Sequence, residues 1–355
     1  MPISTADLQD RLKVGLDFYI KNKPPVDQIA PERPLFKALM SKKKAFSGAA
    51  QYVVEQIRTN YGGNGQWFTG DTVVGYNKRK TVEQAKYPWF NFHDGLQLEE
   101  DRLIANGIKI SGEKATPTAD EKIALTNLIT EQSEVLMLGA YEKMSRDLHF
   151  DGTQATDAIQ GLDALLPIQP VAGTAANLQG TVGGLSRATN TYWRHYVKTG
   201  IAAGSVTNEL ELAYRACIKR GMGRPNTILV GAEFLDAYRK EATPGATRMV
   251  TTQSKVGGTD VDNSINELYF KGIPLQYCPE FDDNFGGAQT PTISWSKRCY
   301  MLNLNHIQLR PIDGSDFVNR TPTRPATQYI AYMAVLWRGA LTMNLPSAHA
   351  CLSVA

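Results

Sequence analysis

Residues 118–148 read TADEKIALTNLITEQSEVLMLGAYEKMSRDL, and this stretch decides the fold. Pro117 precedes it, Thr118 stands where an N-cap belongs, and Glu121 three residues on completes a capping box. Asp120 and Glu121 lie where the positive end of a helix dipole favours carboxylates. Apolar residues recur at Leu125, Leu128/Ile129, Val135/Leu136, Ala140, Met144 and Leu148, a helical spacing. Polar residues (Lys122, Glu131, Glu134, Glu142, Arg146) take the opposite face. Asp151-Gly152 supplies the turn that ends it. At 1.5 Å per residue the helix is roughly 45 Å long, a beam across which other elements are laid.

Working outward toward the N-terminus, residues 1–47 read as an arm. Ser4–Ile20 carries Leu8, Leu12, Leu16 and Ile20 at helical spacing. Pro24, Pro25, Pro31 and Pro34 then argue against regular structure. Ile29, Leu35, Phe36, Leu39 and Met40 make the segment a strap that needs another surface. The run Lys42-Lys43-Lys44 reads as a solvated turn, with contact to phosphates as the weaker alternative.

Residues 48–110 hold the most unusual composition. Gln51–Arg58 is strand-like, and Tyr61-Gly62-Gly63-Asn64-Gly65 is a turn cluster. Trp67, Phe68, Val73, Val74, Tyr76, Tyr87, Trp89, Phe90 and Phe92 are interleaved with Lys78, Arg79, Lys80 and Lys86. The pattern predicts a long, irregular hairpin with its tip near 70–85. Two strands cannot bury that many aromatics between themselves, so they require a partner surface. A weaker alternative is stacking on single-stranded bases by residues 67–92. Leu98–Asn106 reads as a short helix and Ile108–Ile110 as a short strand.

Toward the C-terminus, Thr153–Ala203 is loop-rich, with a short strand near Trp193–Tyr196. Residues 204–298 read as a compact α/β unit. A helix capped by Thr207 runs to Arg220, a strand covers Thr227–Val230, and a second helix covers Ala232–Glu241. After a polar loop (Arg248–Asn263) come strands at Leu268–Phe270 and Ile273–Tyr277, then an exposed loop at Phe281–Pro291. From residue 299 the chain returns to strand. Tyr300–Asn305 alternates, and Tyr329–Trp337 is apolar on both faces, as a strand buried on both sides should be. The chain is expected to leave the helix-bearing domain near residue 204 and return to it near 299.

The sequence carries no phosphate-binding loop, nucleophile elbow or metal-ligand spacing. Its five histidines and four cysteines are scattered, so no catalytic, cofactor or metal residue is assigned, and free thiols are the simplest account of the cysteines. A net charge of +3 argues neither for nor against nucleic acid. No run is long and apolar enough to span a bilayer, and no secretory leader is evident.

The order of elements resembles the major capsid proteins of tailed double-stranded DNA bacteriophages, the Hong Kong 97-type fold. The stretches that carry the resemblance are Asp151-Gly152 with Gln160-Gly161-Leu162-Asp163-Ala164-Leu165-Leu166-Pro167, Gly183-Gly184-Leu185-Ser186-Arg187 leading to Tyr192-Trp193-Arg194, and Tyr300-Met301-Leu302-Asn303-Leu304. Their specificity lies in their order rather than in any strict motif. The resemblance implies an α+β fold with an N-terminal arm (1–47) and an extended β-hairpin loop (48–110). It implies a peripheral domain (111–203 and 299–355) bearing a long spine helix at 118–148, and an inserted α/β axial domain (204–298).

It further implies a structural protein rather than an enzyme. Many copies would form pentamers and hexamers that close into an icosahedral shell around viral DNA, in a virion assembled in host cytoplasm. Leu35, Phe36, Trp67, Phe68, Arg79, Tyr87, Trp89 and Phe90 are the expected subunit-interface residues. The short N-terminal segment implies a separate scaffolding protein. A portal protein at one vertex, packaged double-stranded DNA bound non-specifically and a decoration protein complete the implied partners. Lys78, Lys80 and Lys86 lie where some members of that family carry a cross-linking lysine, but no cross-link is assigned. An encapsulin-like compartment and an oligomeric α/β enzyme are the alternatives.

Overall fold

The computed structural model describes residues 33–48, 51–99, 119–168, 180–219, 223–242, 268–282, 284–287, 292–320 and 330–355. The expected elements at Ser4–Ile20, Ile108–Ile110 and Arg248–Asn263 lie outside the described residues. In chain order the principal elements are helix α1 (Pro34–Ser41), strands β1 (Tyr52–Arg58), β2 (Val82–Pro88) and β3 (Phe90–Glu99), and the long helix α2 (Ala119–Asp147). A small hairpin, β4 (Thr181–Val182) and β5 (Leu185–Ser186), is followed by β6 (Tyr196–Ile201), α3 (Val206–Ile218), β7 (Thr227–Val230) and α4 (Ala232–Ala242). The remainder is β8 (Tyr269–Phe270), β9 (Ile273–Tyr277), β10 (Arg298–Leu302), β11 (Ile307–Pro311), β12 (Val318–Arg320), β13 (Ile330–Met343) and β14 (Ala350–Val354). The chain thus contains both helices and sheets, in an α+β fold.

The chain divides into two compact units, one of residues 1–31, 93–142 and 317–336, the other of 32–92, 143–316 and 337–355. The division falls inside α2 and inside β13. In the first unit β13 pairs with β12, Val318 opposite Leu336 and Arg320 opposite Ala334, and with β3. The buried stripe of α2 there is narrower than its sequence suggests. Leu136 and Ala140 are buried, but Val135 and Leu138 are exposed. Tyr141 meets Phe317 edge-on, with centroids 4.9 Å apart. Leu98 and Glu99 end a strand rather than begin a helix.

The second unit is built on a six-stranded sheet in the order β6-β14-β10-β7-β9-β8. The β14–β6 and β7–β9 pairs are parallel. Ile228, Val230, Cys299, Met301, Ala350 and Leu352 point to one face, where α3 and α4 bring Val206, Leu210, Ala213, Cys217, Phe234 and Leu235. Leu229, Tyr300 and Cys351 point to the other face and are also fully buried, so β10 is covered on both sides rather than alternating. The four cysteines are free and buried.

This sheet takes strands from both sides of the expected boundaries near residues 204 and 299. Two of its interior strands, β14 and β10, come from the C-terminal stretch, and β6 comes from before residue 204. The stretch 204–298 supplies β7, β9 and β8 but closes no sheet by itself. A strand with both faces apolar is satisfied in the interior of a sheet covered on both sides, and β10 and β14 are interior strands.

Three local expectations are corrected as well. Pro34 starts α1 rather than preventing structure, because a proline at the first helical position forfeits no hydrogen bond and has φ already set. Thr207 does not cap α3. The N–H groups of Val206 and Thr207 instead donate to Glu241 Oε2 at 2.6 and 3.2 Å. Phe281 and Phe285 are buried rather than in an exposed loop, and they pack with Trp295 and Phe150 in one aromatic cluster.

Candidate subunit interface

The hairpin of β1 and β2 is antiparallel in strict register from Tyr52 opposite Pro88 to Arg58 opposite Val82. Period-2 alternation gives it two faces. Val53, Ile57, Ala85 and Tyr87 are buried, while Tyr52, Val54 and Val82 face solvent. The buried face is bolted to the second unit. Tyr87 donates its hydroxyl to the Met343 carbonyl at 2.6 Å, and burial pushes that phenol far above its ordinary range. Lys86 donates its N–H to the Gly183 carbonyl at 2.8 Å. Gly183 has φ +59°, and a Cβ there would stand 2.9 Å from Ala85, so only glycine permits this approach. Arg310 pairs with Glu55 at 2.8 Å, and Tyr192 donates to Glu83 at 2.6 Å. Burial, with Glu83 beside it, raises the Tyr192 phenol to about 12.

Beyond this anchored base the chain continues from Thr59 to Thr81 without strand pairing. Backbone and side-chain hydrogen bonds hold its two limbs together: Thr59 N–H to Thr81 O at 3.0 Å and Asn64 Nδ2 to Gly75 O at 2.6 Å. The tip is the turn at Thr69–Thr72, closed by a 2.8 Å bond. Residues 82–85 belong to β2, so the tip is narrower than the expected 70–85.

Most apolar side chains on this projection are left largely uncovered by the described residues. Trp67 is 102%, Tyr76 94%, Val73 91% and Tyr61 79% exposed, with Phe68 close behind. Each large aromatic left in water forfeits about 1.5–3 kcal/mol of transfer free energy, and contiguous apolar exposure of this kind marks a contact surface.

The residues expected at an interface therefore separate. Trp67, Phe68 and Arg79 are on the exposed projection. Trp89 and Phe90 are half-buried where β2 passes into β3. Leu35, Phe36 and Tyr87 lie elsewhere. They are buried in the chain's own second unit, where α1 places Leu35, Phe36 and Leu39 inward and Lys44 and Phe46 donate to carbonyls of β11 at 3.0 Å. A side chain already enclosed has no surface to offer a neighbour. Tyr61, Val73 and Tyr76 belong with the exposed group. The signal for them was present, since the glycines around them leave no partner strand to cover them.

The half-buried Asp163 and the buried His195 and His349 make hydrogen bonds within the fold. Asp163 accepts from Arg298 and Tyr300. His195 is held near Pro167 O, and His349 accepts the Asn303 N–H at 3.1 Å. No described helix is long and apolar enough to cross a membrane.

No family model matches the sequence, and no curated protein matches it. Solved structures do match in fold. A subunit of the cyanophage A-1(L) capsid aligns with TM-score 0.58 at 15% identity over 94% of this chain and 97% of that one. A subunit of the Myoviridae phage XM1 capsid gives 0.54 at 12% identity over 94% and 95%. A subunit of the native GTA particle capsid gives 0.51 at 14% identity over 94% and 95%. Alignment across almost the whole of both chains shows that this chain has the Hong Kong 97-type capsid fold.

Proposed function

We propose that the chain is a major capsid protein of a tailed double-stranded DNA phage, many copies of which assemble as pentamers and hexamers into an icosahedral shell around viral DNA. The observation that carries the reading is the exposed aromatic projection, residues 59–81, on a subunit of capsid fold. An anchored base and an uncovered tip suit a loop that is completed by a neighbouring copy. Trp67, Phe68 and Arg79, with Trp89 and Phe90 near the base, are the residues we assign to that contact. Weak individual contacts suffice in a closed shell, because each subunit is held by several neighbours at once. The role is structural rather than enzymatic. A scaffolding protein, a portal protein at one vertex, packaged DNA and a decoration protein are the partners this role calls for. Its site of action is the virion, after assembly in host cytoplasm.

Sedimentation and negative-stain electron microscopy of the expressed chain, alone and with the neighbouring genes, test the reading. Closed particles of megadalton mass are expected. A discrete dimer or tetramer under every condition would overturn it, and closed particles filled with a cargo enzyme in place of DNA would point to a compartment shell instead.

A further inference from the structure

Three metal-ligating side chains meet just beyond the C-terminus of α2. His149, Cys278 and Glu280 are all buried, and the atoms they offer as ligands lie within 4.8 Å of one another. All three belong to the second unit. His149 follows the last turn of α2, whereas Cys278 and Glu280 stand at the start of the 3-10 turn Pro279–Phe281 that follows β9.

The histidine is set for coordination. Its Nδ1 lies 2.8 Å from the Ser145 carbonyl. A carbonyl can only accept, so Nδ1 carries the hydrogen. Burial lowers the imidazole to about 4, and the ring is therefore neutral with a lone pair on Nε2. That nitrogen is fully buried and has no hydrogen-bond partner among the described residues. Leaving such an acceptor unsatisfied costs about 1–3 kcal/mol. Donation of the far ring N–H to a backbone carbonyl is how metal-bound histidines are usually oriented. Phe281, Phe285 and Trp295 surround the ring at centroid distances of 5.4, 4.9 and 6.0 Å and fix its plane.

The other two side chains fit the same purpose. Burial first, and then the nearby Glu280 carboxylate, push the Cys278 thiol far above its ordinary range, and the backbone N–H groups of Glu280 and Phe281 only partly oppose this. A cation at the sulfur offsets that burial cost. Ser145 Oγ donates to Glu280 Oε2 at 3.1 Å, and Arg33 lies 3.8 Å from Oε1, so the carboxyl group is held in orientation.

We infer that His149 Nε2, Cys278 Sγ and the Glu280 carboxylate form a binding site for a borderline-soft divalent cation, with zinc the best chemical match. One imidazole, one thiolate and one carboxylate are all ordinary zinc ligands. Zinc bonds of about 2.0–2.3 Å set ligand atoms about 3.3–3.7 Å apart in a tetrahedron, a contraction that small side-chain rotations supply. The ion would tie the end of the long helix to the turn after β9.

The full-length chain, treated with chelator and dialysed, is titrated with Zn2+ against a chromophoric competitor and separately with Co2+. About one zinc per chain is expected. The cobalt form should show thiolate-to-metal charge-transfer absorption. Cys278→Ser should abolish that band although Cys217, Cys299 and Cys351 remain, and His149→Gln should weaken zinc at least tenfold. The wild-type cobalt spectrum stands whether or not the variants fold. No stoichiometric zinc in the wild type, or a cobalt band that persists in folded Cys278→Ser, would overturn the inference.

Discussion

The Asp163 carboxylate and the Arg298 guanidinium lie 2.9 Å apart and join the loop after α2 to β10, a central strand of the six-stranded sheet. Arg298 is almost wholly buried, and its guanidinium also lies 4.0 Å over the Trp295 ring, while Tyr300 donates to the same carboxylate at 2.8 Å. Removing one member of a buried pair leaves the other charge uncompensated, which costs about 3–5 kcal/mol. Arg298→Met is therefore expected to destabilise by that amount in urea unfolding. The double variant Arg298→Met/Asp163→Leu is expected to recover much of the loss, because it removes both charges. Additive losses in the double variant would show that the pair does not act as a unit.

Gly161 makes the same junction tight. Its N–H donates to the Phe150 carbonyl at 3.0 Å, and the next N–H donates to the Leu148 carbonyl at 2.8 Å. A Cβ at this position would stand 2.4 Å from the Leu148 oxygen, and both groups are backbone, so neither rotates away. Gly161→Ala is expected to cost at least the 1–3 kcal/mol typical of overpacking. Thermal unfolding checks this, with Gly184→Ala as the contrast. A Cβ at Gly184 meets nothing within 4 Å, and only its φ of +78° is strained.

The start of α3 separates what the sequence reveals from what it conceals. Glu241→Gln weakens the acceptor for the Val206 and Thr207 N–H groups, and Glu241→Ala removes it. The alanine variant is expected to lose about 1 kcal/mol, the usual worth of a cap. Thr207→Ala should change stability little, because Thr207 lies inside the helix. Equal losses from Thr207→Ala and Glu241→Ala would contradict the assignment.

The same contrast runs through the fold. Signals within one turn or one strand were legible: the i, i+4 series Leu136, Ala140, Met144 and Leu148 is the buried edge of α2, and Thr227–Val230 is a strand buried on both faces. Contacts made across long sequence separations were not. Glu241 reaches α3 from 35 residues away, and nothing local tells β10 and β14 that they lie side by side. Leu35 and Phe36 show the limit most plainly. Their apolar character demanded cover, and cover by the chain itself and cover by a neighbour look identical in sequence. Trp67 and Tyr76 differ because the glycine-rich stretch around them offers no strand that could enclose them.

That exposure makes a sharp prediction for the projection. Trp67 and Tyr76 are almost fully exposed. Trp67→Ala and Tyr76→Ala are expected to leave subunit unfolding within about 0.5 kcal/mol, as substitutions at bare surface do. Particle yield by sedimentation should nevertheless fall sharply if the lost area belongs to the contact we propose between copies. Tyr87→Phe should behave in the opposite way, lowering subunit stability by about 1 kcal/mol through its lost bond to Met343. Unchanged particle yield in the Trp67→Ala/Tyr76→Ala double variant would remove the projection from the interface.

Acid should loosen the subunit through His349. This ring is fully buried, and its Nδ1 lone pair is occupied by the Asn303 N–H, so a proton added there would set two donors against each other. Burial, with His306 nearby, lowers the imidazole to about 3. His195 is displaced in the same direction, by burial first and then by Arg187. In the unfolded chain both rings take up a proton near pH 6.5. Between that pH and the folded value the unfolded state binds more protons, so stability is complete above pH 6.5 and declines as pH falls. At pH 5 a single such histidine accounts for about 2 kcal/mol, at 1.36 kcal/mol per pH unit. Urea unfolding from pH 7 to pH 5 should therefore show a falling midpoint. His349→Asn, whatever its own stability, should reduce the slope by close to one proton, and an unaltered slope would assign the acid sensitivity to other groups.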